Sequence, residues 1–266
     1  MRPALLVTFF SCLLLSSSIK AQTVSLRQIG KNNLLISISA YFNWRGALYS
    51  IDNLGVIHKT DLDSGGHTRI GKPTYTKVKF FFGLNNKLYI AETDGSMTEI
   101  DPVTGDSKTV SSVGDWSTIE RTVVISNSLY SIENGAFYYH RTPNATNRVQ
   151  RGGSDYFNPG TLLRSDMRLH SLLRDGSLSE INTANGEWKT ITKSKSWRNV
   201  KAAQVLGDKF YTVDVGGALS AMSLVDKTEK ILDATQFIKA KVLFAEAGKL
   251  YVIMTDGNLY EVKFGE

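Results

Sequence analysis

Residues 88–100 read Leu88-Tyr89-Ile90-Ala91-Glu92-Thr93-Asp94-Gly95-Ser96-Met97-Thr98-Glu99-Ile100. Two strand-like runs flank Asp94-Gly95, and the second alternates apolar with polar residues. Asp-Gly between two such runs marks a tight hairpin, because glycine reaches φ > 0 without steric cost. The stretch is one copy of a repeat. An apolar-aromatic pair recurs as Leu48-Tyr49, Leu88-Tyr89, Leu129-Tyr130, Leu169-His170, Phe210-Tyr211 and Leu250-Tyr251, at intervals of 40, 41, 40, 41 and 40. Gly55, Gly95, Gly135, Gly176, Gly217 and Gly257 keep the same period.

Each unit holds four short strands. A second turn follows the hairpin, as in Asp101-Pro102-Val103-Thr104-Gly105 or Asn182-Thr183-Ala184-Asn185-Gly186. A short outer strand comes next, and an apolar inner strand such as Phe80-Phe81-Phe82 or Val123-Val124-Ile125 opens the next unit. Four short strands in about 40 residues make the blade of a β-propeller. Helical repeats of this length would place apolar residues at i, i+3, i+4 and i+7, which these do not.

The last unit stops after its third strand, Leu259-Tyr260-Glu261-Val262-Lys263-Phe264. The fourth is expected at the other end, Val24 to Ile29, where Gln28-Ile29-Gly30-Lys31 echoes Arg69-Ile70-Gly71-Lys72. The fold class predicted is all-β, a six-bladed propeller over residues 22–266 closed by its N-terminal strand. Closure removes sheet edges that would otherwise template aggregation.

Residues 1–21 read as a secretory signal peptide: Arg2, an apolar run from Ala4 to Leu15, and small residues ending at Ala21. The expected location is therefore extracellular or periplasmic. No run of about 18 uninterrupted apolar residues predicts a membrane span. The single cysteine, Cys12, falls in the leader, so the mature chain is expected to have no disulfide. Arg2 and Lys20 account for two of the formal +6 charges, and no Lys/Arg run of five suggests nucleic acid as a partner. Asn144-Ala145-Thr146 is an N-glycosylation sequon.

One further feature keeps the period. Tyr75, Trp116, Tyr156, Trp197 and Phe237 each precede a new inner strand, with Leu34 or Leu35 as the N-terminal counterpart. In a propeller this link shares a face with the Asp-Gly turns. Two readings of these aromatics stand: packing between blades, or stacking on the C–H face of a sugar. In the second, Asp94, Asp175 and Asp256 are hydroxyl acceptors in neighbouring turns, and weak sites around the ring gain by avidity.

Ile70-Gly71, Tyr75 and Val78-Lys79-Phe80-Phe81-Phe82, then Leu88-Tyr89-Ile90-Ala91, resemble the blade of tachylectin-2 type propeller lectins. Gly114-Asp115-Trp116 and Lys241-Val242-Leu243-Phe244 with Leu250-Tyr251 carry the same likeness. The resemblance implies a secreted lectin that binds glycans, N-acetylated sugars among them, at seams between blades. This chain has six units where that family has five, and tryptophan stands in two of five copies. The alternative reading is a protein-binding propeller scaffold using the same face.

Enzyme readings find little support. His58, His67, His140 and His170 share no repeat position and lack metal-ligand spacing. There is no Gly-x-Ser-x-Gly elbow. Asp61-Leu62-Asp63-Ser64-Gly65-Gly66-His67-Thr68 is similar to a sialidase Asp-box turn, but occurs once. Six-bladed lactonases and quinoproteins need polar groups converging on the central channel, whereas these inner strands are apolar. The expectation is a non-enzyme without cofactor or metal. Arg164, Arg168, Arg174 and Arg198 read as scattered, solvated surface charges.

Overall fold

The computed structural model describes residues 23–72, 74–144, 147–153, 160–165, 168–193 and 195–265. The expected leader, Tyr156 and most of the Asn144 sequon lie outside these residues. The described chain forms six four-stranded antiparallel sheets arranged as a six-bladed β-propeller.

Blade 1 runs from its inner to its outer strand as β2 (Ile38–Trp44), β3 (Ala47–Asp52), β4 (Ile57–Asp61) and β5 (His67–Ile70). Blade 2 is β6 (Val78–Leu84), β7 (Lys87–Glu92), β8 (Met97–Ile100) and β9 (Ser107–Ser111). Blade 3 is β10 (Ile119–Ile125), β11 (Ser128–Glu133), β12 (Ala136–His140) and β13 (Arg148–Gln150). Blade 4 is β14 (Thr161–Ser165), β15 (Arg168–Leu172), β16 (Leu178–Ile181) and β17 (Trp188–Thr192). A 3-10 turn, Lys195–Asn199, leads to blade 5: β18 (Val200–Leu206), β19 (Lys209–Asp214), β20 (Leu219–Ser223) and β21 (Glu229–Asp233). Blade 6 is β22 (Ala240–Glu246), β23 (Lys249–Met254) and β24 (Leu259–Phe264), with β1 (Val24–Ile29) as its outer strand.

The expected closure is present. Strand β1 pairs antiparallel with β24 from Val24↔Phe264 to Ile29↔Leu259. Arg27 reinforces it, donating from Nε to Glu261 Oε2 at 2.8 Å. Five of the six inner strands share a defect: pairing slips between Ile38/Ala40, Val78/Phe80, Ile119/Arg121, Val200/Ala202 and Ala240/Val242, while β14 pairs without a slip. A bulge at one fixed position bends each strand alike and increases its twist. Inner hairpins close on pairs with φ > 0, such as Asn85-Asn86 and Ser126-Asn127. That geometry matches the twist of the flanking strands.

The core is divided into six clusters, one per seam. Blades 1 and 2 meet through Tyr49, Ile51, Phe81 and Leu88; blades 3 and 4 through Ile132, Phe137, Leu169 and Ile181. Each inner sheet face thus buries its apolar residues against the next blade. This is why β7 reads as a continuous apolar run while outer strands such as β9 are exposed over consecutive residues.

Candidate functional site

The links into each new blade and the hairpin turns of the preceding one meet on one face. The contact is a backbone clasp. The amide of Trp116 donates to the Gly95 carbonyl at 2.9 Å, Tyr75 to Gly55 at 3.2 Å, Phe237 to Gly217 at 3.2 Å and Leu35 to Gly257 at 2.9 Å. Leu35, not Leu34, therefore takes the aromatic's place at the closing seam. The periodic glycine does two jobs here. At Gly95 φ is +85°, and a Cβ would stand 2.8 Å from the Ser117 nitrogen. Only glycine both adopts this φ freely and admits the crossing strand.

The clasp carries each ring into its seam. Trp116 and Phe237 are fully buried, and Trp197 and Tyr75 are 6% and 9% exposed. Trp116 stacks on His140 at 5.1 Å between centroids, and its Nε1 donates to Ser111 Oγ at 3.3 Å. Trp197 packs edge-on to Phe210 at 5.1 Å. This is the arrangement of the packing reading, and it leaves these four rings no open face for a sugar. Tyr156 lies outside the described residues. The sequence left the two readings open because a period locates a residue without saying what covers it.

The aspartates lie beside the clasps and serve their own turns. Asp94 Oδ1 accepts from the Ser96 amide and hydroxyl, both at 2.8 Å. Asp175 Oδ1 accepts from Ser177 in the same way, at 2.8 and 2.7 Å. These serine bonds hold both carboxyls below the usual range. Asp256 accepts from the Asn258 amide at 3.1 Å and pairs with Lys239 at 3.6 Å. Asp52 plays the same part in blade 1, where it accepts from the Leu54 and Val56 amides and meets His58.

Sequence reasoning missed three features. The first is on the clasp face, where Val215, Ile238, Ile36 and Leu54 are 55–69% exposed. Ile238 and Ile36 directly follow the seam residues Phe237 and Leu35, and abut Gly217 and Gly257. Leu54 precedes Gly55, and Val215 stands two residues before Gly217. Together they arc over three consecutive seams, from blade 5 through blade 6 to blade 1. The signal was present, as apolar residues in turn positions that normally hold polar ones.

The second is the central channel. Arg164 is not a solvated surface charge. From blade 4 its Nη2 donates to the Asn43 carbonyl of blade 1 at 2.7 Å and approaches Glu246 Oε2 of blade 6 at 3.4 Å. Its Nη1 donates to the Val124 carbonyl of blade 3 at 3.3 Å. Asn43 Nδ2 donates to Glu246 Oε2 at 2.7 Å, and Gln204 Nε2 to the Arg164 carbonyl at 2.8 Å. Burial draws the Arg164 guanidinium below its usual pKa and Glu246 draws it back. This knot closes the channel at the end opposite the clasps.

The third is Trp188, 37% exposed on the outer edge of blade 4. It lines an open groove of about 820 Å³ with Arg168, Glu180, Asn182, Asn185 and Lys189.

Two histidines are also brought together. His58 and His67 stack at 4.7 Å between centroids, and His67 opens β5. Among the described residues, no group of three or more His, Cys, Asp or Glu side chains is placed to hold a metal ion. None of the described helices is long and apolar enough to cross a membrane.

No family model and no curated protein matches the chain. Solved structures do. BamB from Moraxella catarrhalis is 15% identical with a TM-score of 0.50, over 85% of this chain and 69% of that one. Virginiamycin B lyase from Staphylococcus aureus is 9% identical with a TM-score of 0.60, over 91% and 99%. A protein of unknown function from Bacteroides thetaiotaomicron is 12% identical with a TM-score of 0.62, over 91% and 76%. At these identities the likeness is one of fold.

Proposed function

We propose that this chain is an exported, non-catalytic propeller that docks a protein partner on its clasp face. The observation that carries the reading is the arc of Val215, Ile238, Ile36 and Leu54. Single exposed apolar side chains are ordinary, but several on one face mark interaction sites. The clasps hold the arc on a rigid frame, so little ordering is needed on binding. The seam aromatics keep that frame closed and need touch no ligand. Similarity in fold to BamB and to virginiamycin B lyase fits a binding platform and an enzyme equally, since fold does not carry function.

The test is site-specific photocrosslinking in the native host. Probes at Ile238 and Leu54 should capture one discrete partner. Probes at Val103 and Val225, exposed in turns of the opposite face, should not. Ile238→Asp should then weaken binding of the purified partner without changing thermal stability. Equal crosslinking from both faces would refute the reading.

A glycan is the second reading, favoured by Trp188. A partly exposed tryptophan in a groove lined by amides, carboxylates and cations suits a pyranose: an aromatic ring packs on its C–H face and the polar groups meet its hydroxyls. The resemblance to tachylectin-2 type lectins points the same way. A glycan array with the wild type and Trp188→Ala distinguishes the two. Sugar binding lost in the variant supports a lectin, and no binding by folded protein excludes it.

A further inference from the structure

We infer that the central channel is a binding pit for a small molecule with an anionic head and an apolar or aromatic body. The channel encloses about 350 Å³, at the small end of ligand cavities. Its wall mixes apolar and polar groups: Phe42, Leu162 and Ala203 supply apolar surface, and Tyr41, Thr122 and Gln204 supply polar atoms. Among the described residues its charged lining is of one sign, Arg164 at the floor and Lys201 and Lys241 at the mouth, with no carboxylate. Glu246 lies beyond the floor, held by the Gly46 amide at 2.9 Å and by Asn43. Glu120 lies in an adjoining hollow of the clasp face, with Lys79, Arg121 and Arg174.

The donors at the mouth differ in their commitments. Lys201 Nζ is tied to the Ile238 carbonyl at 2.6 Å. Lys241, one blade on, is exposed and makes no hydrogen bond or ion pair among the described residues. The Tyr41 hydroxyl and the half-buried Thr122 Oγ1 likewise make no hydrogen bond among the described residues. Tyr41 is 39% exposed, its ring open to the channel while the protein around it raises its pKa; it stays a donor at neutral pH. A carboxylate at the mouth would meet the Lys241 ammonium, a charge-assisted contact of the stronger kind, with the Tyr41 and Thr122 hydroxyls two residues further along their strands. The apolar body would displace water from the apolar part of the wall, at Phe42, Leu162 and Ala203. The dead end at Arg164 makes the channel a pit with one entrance, on the clasp face.

Calorimetric titration with 2-naphthoate tests this, using 2-naphthylmethylammonium as the cationic control. Saturable one-to-one binding of the carboxylate is expected, with the cation at least about tenfold weaker. Lys201→Gln with Lys241→Gln should weaken the carboxylate about tenfold or more. Ala203→Trp should abolish binding by filling the pit, and Thr122→Tyr fills it from blade 3 should the first variant misfold. Equal binding of the cation, binding that survives either filled channel, or no binding at millimolar carboxylate would each overturn the proposal.

Discussion

Arg164 donates to the backbone carbonyl of Asn43 at 2.7 Å across the propeller axis, from blade 4 to the blade directly opposite. The residues are 121 positions apart, yet this contact, with Glu246, Val124 and Gln204, joins the inner strands of five blades. Each such bond to a charged group is worth about 1.5–3 kcal/mol when buried. Arg164 is a third exposed, so a smaller figure applies here.

Arg164→Leu should therefore lower stability by about 1–2 kcal/mol. The carbonyls it served would be left without a donor, while Glu246 keeps Asn43 and Gly46. Urea unfolding should show a lower midpoint with an unchanged slope. An unchanged midpoint would mean that the knot adds nothing to closure.

The two roles of the clasp glycine can be separated. Gly114 has φ +94° and open space where an alanine methyl would stand, whereas Gly95 has φ +85° and the Ser117 nitrogen at 2.8 Å from that point. Gly114→Ala should cost only the backbone strain, about 1 kcal/mol. Gly95→Ala should cost about 2 kcal/mol more, because the seam must open. Similar losses at the two sites would show that the crossing strand yields freely.

Trp116→Ala should destabilise by about 3–5 kcal/mol, the cost of emptying a fully buried site. Acrylamide should quench Trp188 in the native protein and leave Trp116 and Trp197 protected. Efficient native-state quenching of Trp116 would contradict its burial.

Acid should weaken the fold through two histidines. Burial lowers His140 and His170 from 6.5 to about 4, with Arg148 adding to the first. The unfolded chain takes up these protons near pH 6.5 and the folded chain only near 4. Their contribution is complete above about pH 6.5 and drains as the pH falls toward 4. Carboxylates held low, such as Asp101 at about 2, lose theirs only below about pH 4. Urea midpoints at pH 7.5 and 4.5 should fall less steeply in His140→Phe than in the wild type. Parallel declines would remove His140 as a cause.

The blade is legible in the order of residues alone. The period of Leu-Tyr pairs and glycines, the hairpin turns and the echo of Ile70-Gly71 in Ile29-Gly30 all report local backbone geometry, which repeats wherever the residues repeat. Six units and closure by β1 followed from these alone. What covers each residue depends on the closed ring. Trp116 carries the same local pattern whether its ring lies in a seam or on a surface; the angle at which blade 3 meets blade 2 buries it. Arg164 and Asn43 share no sequence pattern, because they meet across an axis that exists only once the ring closes. The exposed arc from Val215 to Leu54 likewise depends on which links the closed ring leaves uncovered. Local conformation is set by near neighbours, while burial and charge pairing are set by distant ones, and the functional surface is built from the second.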